Sequence, residues 1–209
     1  MEKSEGGFLT SGTLGRIIDR KAIEMQQTDS DILIRCRRGD RAAFRSLVEA
    51  HQRMVFSLSL KMVCDEEEAK DIVQETFIRV WQSIGEYDPE RPFATWLYTI
   101  ATRLCLDRLK GMKRIVPLPD DESVLRQFAA NADIHRKLEN SEWVAIVRML
   151  SKRLSEKQRL VFTLCQLEGL SSQEVTQITG LDASQVKSNL YVARQTIRKQ
   201  LKALGYGQD

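Results

Sequence analysis

Long apolar runs, histidines and paired cysteines are all scarce in this 209-residue chain. No apolar stretch approaches the roughly 18 residues that a membrane-spanning helix needs, so we expect no direct membrane insertion. The first residues, MEKSEGGFLTSG, lack the basic start and the apolar stretch of a secretory signal. Four cysteines stand far apart with only two histidines, so we predict no metal site, no cofactor and no disulfide framework. These absences favour a reduced, cytoplasmic protein.

Proline and strand-like patterns are equally sparse. All four prolines lie between residues 89 and 119, whereas apolar residues recur at spacings of three and four throughout the chain. The pattern predicts an all-α protein of two small helical domains joined by a flexible linker. We place a mobile arm at 1–28, the first domain at 29–110, the linker at 111–140 and the second domain at 141–204.

The net charge of +3 is concentrated near the C-terminus. Residues 141–209 carry ten basic and six acidic side chains, a net charge of +4 that leaves −1 for residues 1–140. No acidic residue lies between Lys187 and Lys202. A local basic excess on a helix is typical of phosphate contact, although a solvated helix face gives the same pattern.

A helix predicted from Asp65 onwards has an unusual polar face. At about 100° per residue, Ala69, Ile72 and Val80 lie on its core side. The opposite side gathers Asp71, Gln74, Glu75, Ile78 and Gln82. Ile78 is either a single exposed apolar residue, which is normal, or part of a docking face for another protein.

The following segment combines a turn-rich loop with an aromatic and basic helix. The loop is GEYDPERP at residues 85–92, and Pro92 suits the first turn of a helix. The predicted buried stripe of that helix is Phe93, Trp96, Leu97, Ile100 and Leu104, and the residues off the stripe are Tyr98, Arg103, Arg108 and Lys110. Such side chains can stack on unpaired bases and neutralise phosphates, but an aromatic beside a core stripe also serves packing.

The C-terminal residues have the pattern of a helix-turn-helix. Ser171 or Ser172 is predicted to cap a short helix that Gly180 ends, and Asp182 or Ser184 begins the final helix. In a DNA-binding helix-turn-helix the second helix enters the major groove. Its predicted outward residues are Ser184, Gln185, Lys187, Ser188 and Tyr191, with Arg194 and Arg198 suited to phosphates. A helical hairpin without a DNA role is the alternative.

Two stretches resemble the extracytoplasmic-function sigma factors, which are promoter-recognition subunits of bacterial RNA polymerase in the sigma-70 family. Residues 65–110, with the strings DIVQETFIRVW and FATWLYTIA, are similar to conserved region 2. Residues 154–201 are similar to region 4. The resemblance implies a transcription initiation factor that binds core polymerase, reads minus-35 and minus-10 promoter elements and assists promoter melting.

The resemblance also implies roles for particular residues. Asp71, Gln74, Glu75 and Ile78 match the helix that binds the coiled coil of the largest polymerase subunit. Residues 86–91 and the next helix match the part that captures the melted minus-10 element. The minus-10 contacts would be Trp96, Tyr98, Arg103, Arg108 and Lys110, and the minus-35 contacts Ser184, Gln185, Lys187, Ser188, Tyr191 and Arg194. The linker 111–140 would lead towards the polymerase active-site cleft, and an anti-sigma factor is an implied partner.

Two departures from the family pattern concern the promoter sequence. The family usually has Asn where this chain has Arg103, and Val192 replaces a basic residue that would contact a phosphate. Two other classes compete with the sigma-factor interpretation. One is a conventional regulator that binds DNA without polymerase. The other is an enzyme with Cys64 or Cys105 near His51, but no third orienting group accompanies them, so we predict no catalysis and no small-molecule substrate.

Overall fold

The computed structural model describes residues 31–115 and 153–203. Helix α1 occupies residues 31–37, and the first domain continues with α2 (Arg41–Val63), α3 (Glu66–Ser83), a 3-10 turn (Ile84–Glu86) and α4 (Phe93–Ile115). The second domain contains α5 (Glu156–Phe162), a π-helical turn (Thr163–Leu167), α6 (Ser172–Thr179) and α7 (Ala183–Ala203). The described residues contain no strand, which confirms the all-α prediction.

Parts of the predicted domain layout fall outside the described residues. These are the arm 1–28, residues 116–140 of the linker and the start of the second domain. Helix α4 continues through Ile115, so the first residues assigned to the linker belong to the helix. Within the described ranges, no helix is long and apolar enough to cross a membrane.

Short polar residues begin the helices of the first domain. The Asp40 carboxylate accepts backbone hydrogen bonds from Ala42 and Ala43, at 2.9 and 3.0 Å, and so caps α2. Cys64 ends α2 in the left-handed region at φ 56°, where its N–H donates to the carbonyl of Leu60. Asp65 then caps α3 by accepting from the N–H of Glu68 at 3.1 Å. These caps satisfy donors and acceptors that helix ends leave free.

Helix α4 is central to the core. Leu97, Ala101 and Cys105 are fully buried where α4 packs against α2 and α3. Trp96 and Ile100, predicted as members of the buried stripe, are only partly buried at its edge. The other flank of α4 packs against α6, so the helix contributes to both domains.

The two domains share one hydrophobic core in the described residues. Leu160, Val161 and Leu164 of the second domain join the apolar cluster built on α2, α3 and α4. Arg159 adds a polar contact, because its Nη1 donates to the carbonyl of Met62 at 3.1 Å. The predicted two domains are therefore in direct contact, whatever the length of chain between them.

Replacing either of two glycines by alanine is expected to change the free energy of unfolding, in opposite directions. Gly180 ends α6 in the left-handed region at φ +72°, whereas Gly111 lies inside α4, and neither site has an atom within 4 Å of an added Cβ. Gly180→Ala is expected to lower the free energy of unfolding by about 1 kcal/mol, because left-handed backbone is costly for a residue with a Cβ. Gly111→Ala is expected to raise it by up to about 1 kcal/mol through helix propensity.

Urea unfolding followed by circular dichroism measures both changes. Changes of the same sign would contradict the assignment of these two backbone conformations.

Candidate protein and nucleic-acid interfaces

The polar face of α3 lies in solvent with an apolar residue at its centre. Ile78 is 56% exposed, and Asp71 and Gln74 beside it are also exposed. Glu75 is half-buried and pairs with Arg79 at 2.6 Å. The opposite side packs into the core through Ile72, Thr76, Phe77 and Val80, among others. The structure therefore brings together all four residues predicted to dock on a partner.

The loop before α4 is held by contacts at both ends. The Arg37 guanidinium on α1 donates to the carbonyls of Ile84, at 3.3 Å, and Tyr87. The Tyr87 hydroxyl donates to the carbonyl of Arg91. Between these anchors Asp88 accepts from the N–H of Glu90 at 3.0 Å, which forms a local turn. The loop thus has a defined shape before any ligand binds.

Only some of the α4 residues predicted to contact DNA are exposed. Arg103 and Lys110 are exposed, and Lys110 pairs with Asp107 at 3.3 Å. Trp96 is partly buried beside the loop, with its ring centroid 5.1 Å from that of Tyr87. Arg108 forms an ion pair with Glu68 of α3 at 2.6 Å, so its charge is already partly neutralised. Arg108 consequently joins two helices in this structure.

Tyr98 does not occupy the position that the sequence predicts. The helical pattern places it off the buried stripe, but it is only 7% exposed because the second domain packs over this side of α4. Its hydroxyl donates to Oε2 of Glu168 at 3.0 Å. The prediction of an exposed aromatic at residue 98 is therefore wrong for this arrangement of the domains.

Glu168 connects the domains through both carboxylate oxygens. While Oε2 accepts from Tyr98, Oε1 accepts from Nζ of Lys61 at 2.7 Å, and the side chain is only 8% exposed. Lys61 also donates to the carbonyl of Leu167 at 3.2 Å. Burial, followed by the nearby charge of Glu168 and its hydrogen bond, raises the pKa of the Tyr98 phenol well above its usual range. Tyr98 therefore stays neutral at physiological pH and acts as a donor.

The second domain contains the predicted helix-turn-helix. Ser171 and Glu174 form a reciprocal capping box at the start of α6, and Gly180 ends this helix. Asp182 accepts from the N–H of Gln185 at 2.8 Å, and the side-chain Oε1 of Gln185 accepts from the N–H of Asp182 at 3.1 Å. Of the alternatives left by the sequence, Ser171 caps α6, and Asp182 provides the side-chain cap of α7.

The outward face of α7 is polar and basic. Val186, Ala193 and Ile197 are buried, whereas Tyr191 is 64% exposed. Every residue predicted to contact the minus-35 element is exposed: Ser184, Gln185, Lys187, Ser188, Tyr191 and Arg194. Three of them also make side-chain contacts within the protein, and one of these is Gln185 in the cap of α7. The Ser188 hydroxyl donates to the carbonyl of Gln185, and Nε of Arg194 donates to Oε1 of Gln166 at 3.2 Å.

The cysteine and histidine considered for catalysis are buried. His51 packs against Phe93 with 5.1 Å between ring centroids, and Cys64 is buried at the end of α2. Burial raises the pKa of the Cys105 thiol to about 12, and its Sγ lies 3.8 Å from Oγ of Ser59. A neutral, buried thiol is a poor nucleophile. Nor do the described residues contain a cluster of histidine, cysteine and carboxylate side chains that could hold a metal ion.

Sequence reasoning missed the residues that act across long separations. Arg37 contacts residues 47 and 50 positions later, and Glu168 contacts Lys61 and Tyr98 across 107 and 70 positions. Neither residue belongs to a helical stripe or motif that would single it out. Their aromatic partners, Tyr87 and Tyr98, lie in segments that the sequence does identify. These two aromatic residues are the signals that could have pointed to Arg37 and Glu168.

Two family descriptions match this chain. "Sigma-70 region 2" matches residues 47–115, and "Sigma-70, region 4" matches residues 145–197. The RNA polymerase sigma-H factor of Pseudomonas aeruginosa is 31% identical over 186 residues, covering 86% of this chain and 96% of that protein. The ECF RNA polymerase sigma factor SigW of Bacillus subtilis is 30% identical over 180 residues, covering 80% and 94%.

Solved structures share the fold at lower identity. CnrH in complex with the cytosolic domain of CnrY has a TM-score of 0.63 and 23% identity, covering 84% of this chain and 98% of CnrH. The sigma factor RpoE from Bartonella quintana, solved with the anti-sigma factor NepR, has a TM-score of 0.56 and 17% identity, covering 76% and 96%. Both likenesses support the all-α arrangement described above.

The carboxylate of Glu168 predicts a measurable change in the titration of Tyr98. Glu168→Gln is expected to lower the pKa of the Tyr98 phenol, because a neutral amide no longer opposes the phenolate, although burial still keeps that pKa above about 10. Since the pKa is raised in the packed state, the contact is fully present below about pH 10 and weakens as pH rises towards the raised value. An NMR titration of the tyrosine rings, assigned with Tyr98→Phe, measures the midpoint.

Glu49→Gln is the control, because Glu49 is an exposed carboxylate of α2. An unchanged Tyr98 midpoint in Glu168→Gln would show that this carboxylate does not contact Tyr98 in solution.

Proposed function

Because the chain belongs to the ECF sigma factors of RNA polymerase, we propose that α3, the loop before α4 and α7 are the surfaces with which it performs that family's task. The chain initiates transcription from specific promoters through core RNA polymerase. The observation that carries the proposal is the exposed apolar Ile78 within the acidic and amide face of α3. That face has the composition of a protein-docking surface and no role in the packing of the described core.

The α3 face is proposed to bind the coiled coil of the largest polymerase subunit. Ile78 would supply apolar contact at the centre, and Asp71 and Glu75 would supply negative charge around it. Interfaces combine an apolar centre with a polar rim in this way. Asp71 and Gln74 are exposed in the free chain, so a partner can contact them without any rearrangement of the core.

The loop at residues 85–92 and the start of α4 are proposed to capture unpaired bases of the minus-10 element. Trp96 at the edge of the loop and the exposed Arg103 are the nearest aromatic and basic groups. Extruding a base from a duplex costs a few kcal/mol, which contacts to the extruded base offset. Tyr98 can take part only after the second domain separates from α4, because Glu168 covers its hydroxyl.

The second domain is proposed to read the minus-35 element with the first half of α7. Lys187, Ser188 and Tyr191 would face base edges, whereas Arg194 and Arg198 would contact phosphates. Val192 is 42% exposed and offers no charge at the position where the family usually has a basic residue. The contact to the upstream duplex therefore depends on the remaining basic residues of this helix.

We further propose that the domains, residues 29–110 and 141–204, act as two linked binding modules. Linking raises the effective concentration of the second module once the first has bound. The small net charge of +3 predicts weak binding of the free chain to DNA. An anti-sigma factor is a proposed partner, since RpoE of the same fold was solved with one. We place the chain in the cytoplasm with its polymerase and assign it no catalytic step.

Charge reversal of the α3 face tests docking. Asp71→Lys/Glu75→Lys is expected to lower affinity for core polymerase at least tenfold, because it places like charges against the surface that attracts the native carboxylates. Co-elution of the full chain with purified core polymerase measures the effect. Asp31→Lys/Glu49→Lys makes the same change in charge at exposed positions of α1 and α2 and should co-elute as the native chain does.

Loss of co-elution in both double variants, or in neither, would count against docking through α3. Thermal unfolding of each variant identifies any that fails to fold.

Two substitutions in α7 separate base reading from phosphate contact. Lys187→Met is expected to relax sequence preference at one minus-35 position, with a cost of roughly 1–3 kcal/mol on the preferred sequence. Arg198→Met is expected to weaken binding to all sequences equally and to reduce the salt dependence by about one counterion. Binding of the polymerase holoenzyme to a library of minus-35 variants at several salt concentrations distinguishes them. Equal effects on all sequences from both substitutions would remove Lys187 from base reading.

A further inference from the structure

Arg37 connects α1 to the loop that precedes α4. Its Nε donates to the carbonyl of Ile84 at 3.3 Å, and its Nη2 donates to the carbonyl of Tyr87. These carbonyls lie at the two ends of the 3-10 turn Ile84–Glu86, and that of Ile84 also accepts from the N–H of Tyr87 at 3.4 Å. One planar guanidinium therefore fixes the direction in which the chain leaves the turn.

Tyr87 extends this contact from Arg37 to the start of α4. Its side chain is buried, at 6% exposure, and the Arg37 guanidinium lies over the ring at 5.9 Å from the centroid. The same ring packs against Phe93 at 5.7 Å and Trp96 at 5.1 Å. Its hydroxyl donates to the carbonyl of Arg91 at the far end of the loop. Arg37, Tyr87 and Trp96 thus form a continuous series of side-chain contacts beside the loop.

These contacts fix the two ends of the loop and leave the tip of the loop exposed. Residues 88–91 are exposed, yet backbone contacts restrain the chain at residues 84, 87 and 91. A loop that is already ordered loses less conformational entropy when it binds. For a surface that must hold an extruded base, this preorganisation strengthens capture without adding any contact to the base.

We propose that Arg37 is a positioning residue for minus-10 base capture, which it supports by holding the 85–92 loop and, through Tyr87, the ring of Trp96. The proposal rests on the proposed function of that loop. Arg37 acts through the loop backbone and the Tyr87 ring rather than by contact with DNA. A lysine ammonium carries its donors on a single nitrogen, so it does not reproduce the separate Nε and Nη2 donors of the guanidinium together with its planar contact to the ring.

The test uses the full chain assembled with core polymerase and a fork-junction DNA carrying 2-aminopurine at the captured minus-10 position. Arg37→Ala is expected to weaken capture, seen as the fluorescence rise on base extrusion, by roughly tenfold, because the loop must then be ordered on binding. Arg37→Lys should lose most of the same signal although it keeps the charge. Arg38→Ala, at the neighbouring exposed arginine, is the matched control and should behave as the native chain does.

Tyr87→Phe gives a second, milder variant in case Arg37→Ala fails to fold. It removes the hydroxyl bond to Arg91 and keeps the ring, and it should reduce capture by a smaller factor, with unchanged binding to core polymerase and to a minus-35 duplex. Native capture by Arg37→Ala would overturn the proposal. Native capture by Arg37→Lys with loss in Arg37→Ala would also overturn it, since Arg37 would then act as a simple charge on DNA.

Failure of the underlying function gives a different result. If the native holoenzyme shows no fluorescence rise on the fork junction, the loop does not capture the base and the proposed function fails. If the native signal is present and the Arg37 variants match it, only the positioning role fails.

Discussion

Packing on both flanks of α4 determines most of this structure. One flank buries Leu97, Ala101 and Cys105 against α2 and α3, and another lies against the second domain. A helix with two buried flanks cannot also present every polar residue to solvent. Tyr98 therefore lies between the two domains, where its hydroxyl donates to Glu168, and Glu168 in turn accepts from Lys61. The remaining exposed groups of α4 are confined to a narrower face.

The sequence predicts the local features of this protein well because their causes are local. Ser171, Gly180 and Asp182 act on backbone groups within a few residues, and the structure confirms each of them as a cap or a terminator. The exposed face of α3 and the outward face of α7 follow from helical period alone. The period of about 3.6 residues is therefore enough to assign each residue of those two surfaces to its side of the helix.

The features that sequence reasoning missed depend on contacts between distant segments. Whether Tyr98 is exposed is decided by the second domain, 70 residues away in sequence at Glu168, and helical period carries no information on that packing. Arg37 has the same explanation, since its partners are carbonyl groups of a loop rather than side chains with a recognisable pattern. Polar contacts to the backbone of a distant segment leave almost no trace in a single sequence.

Together these contacts describe two domains that pack against each other in the free chain. The proposed use of Tyr98 in minus-10 capture requires the domains to separate on a promoter. Measuring the distance between the two domains is the most direct test of this account. Single-molecule energy transfer between dyes placed through unnatural amino acids at exposed positions 52 and 199 reports the distance between α2 and α7. The account predicts high transfer in the free chain and lower transfer once core polymerase and promoter DNA are bound. Equal transfer in the free chain and in the promoter complex would contradict it.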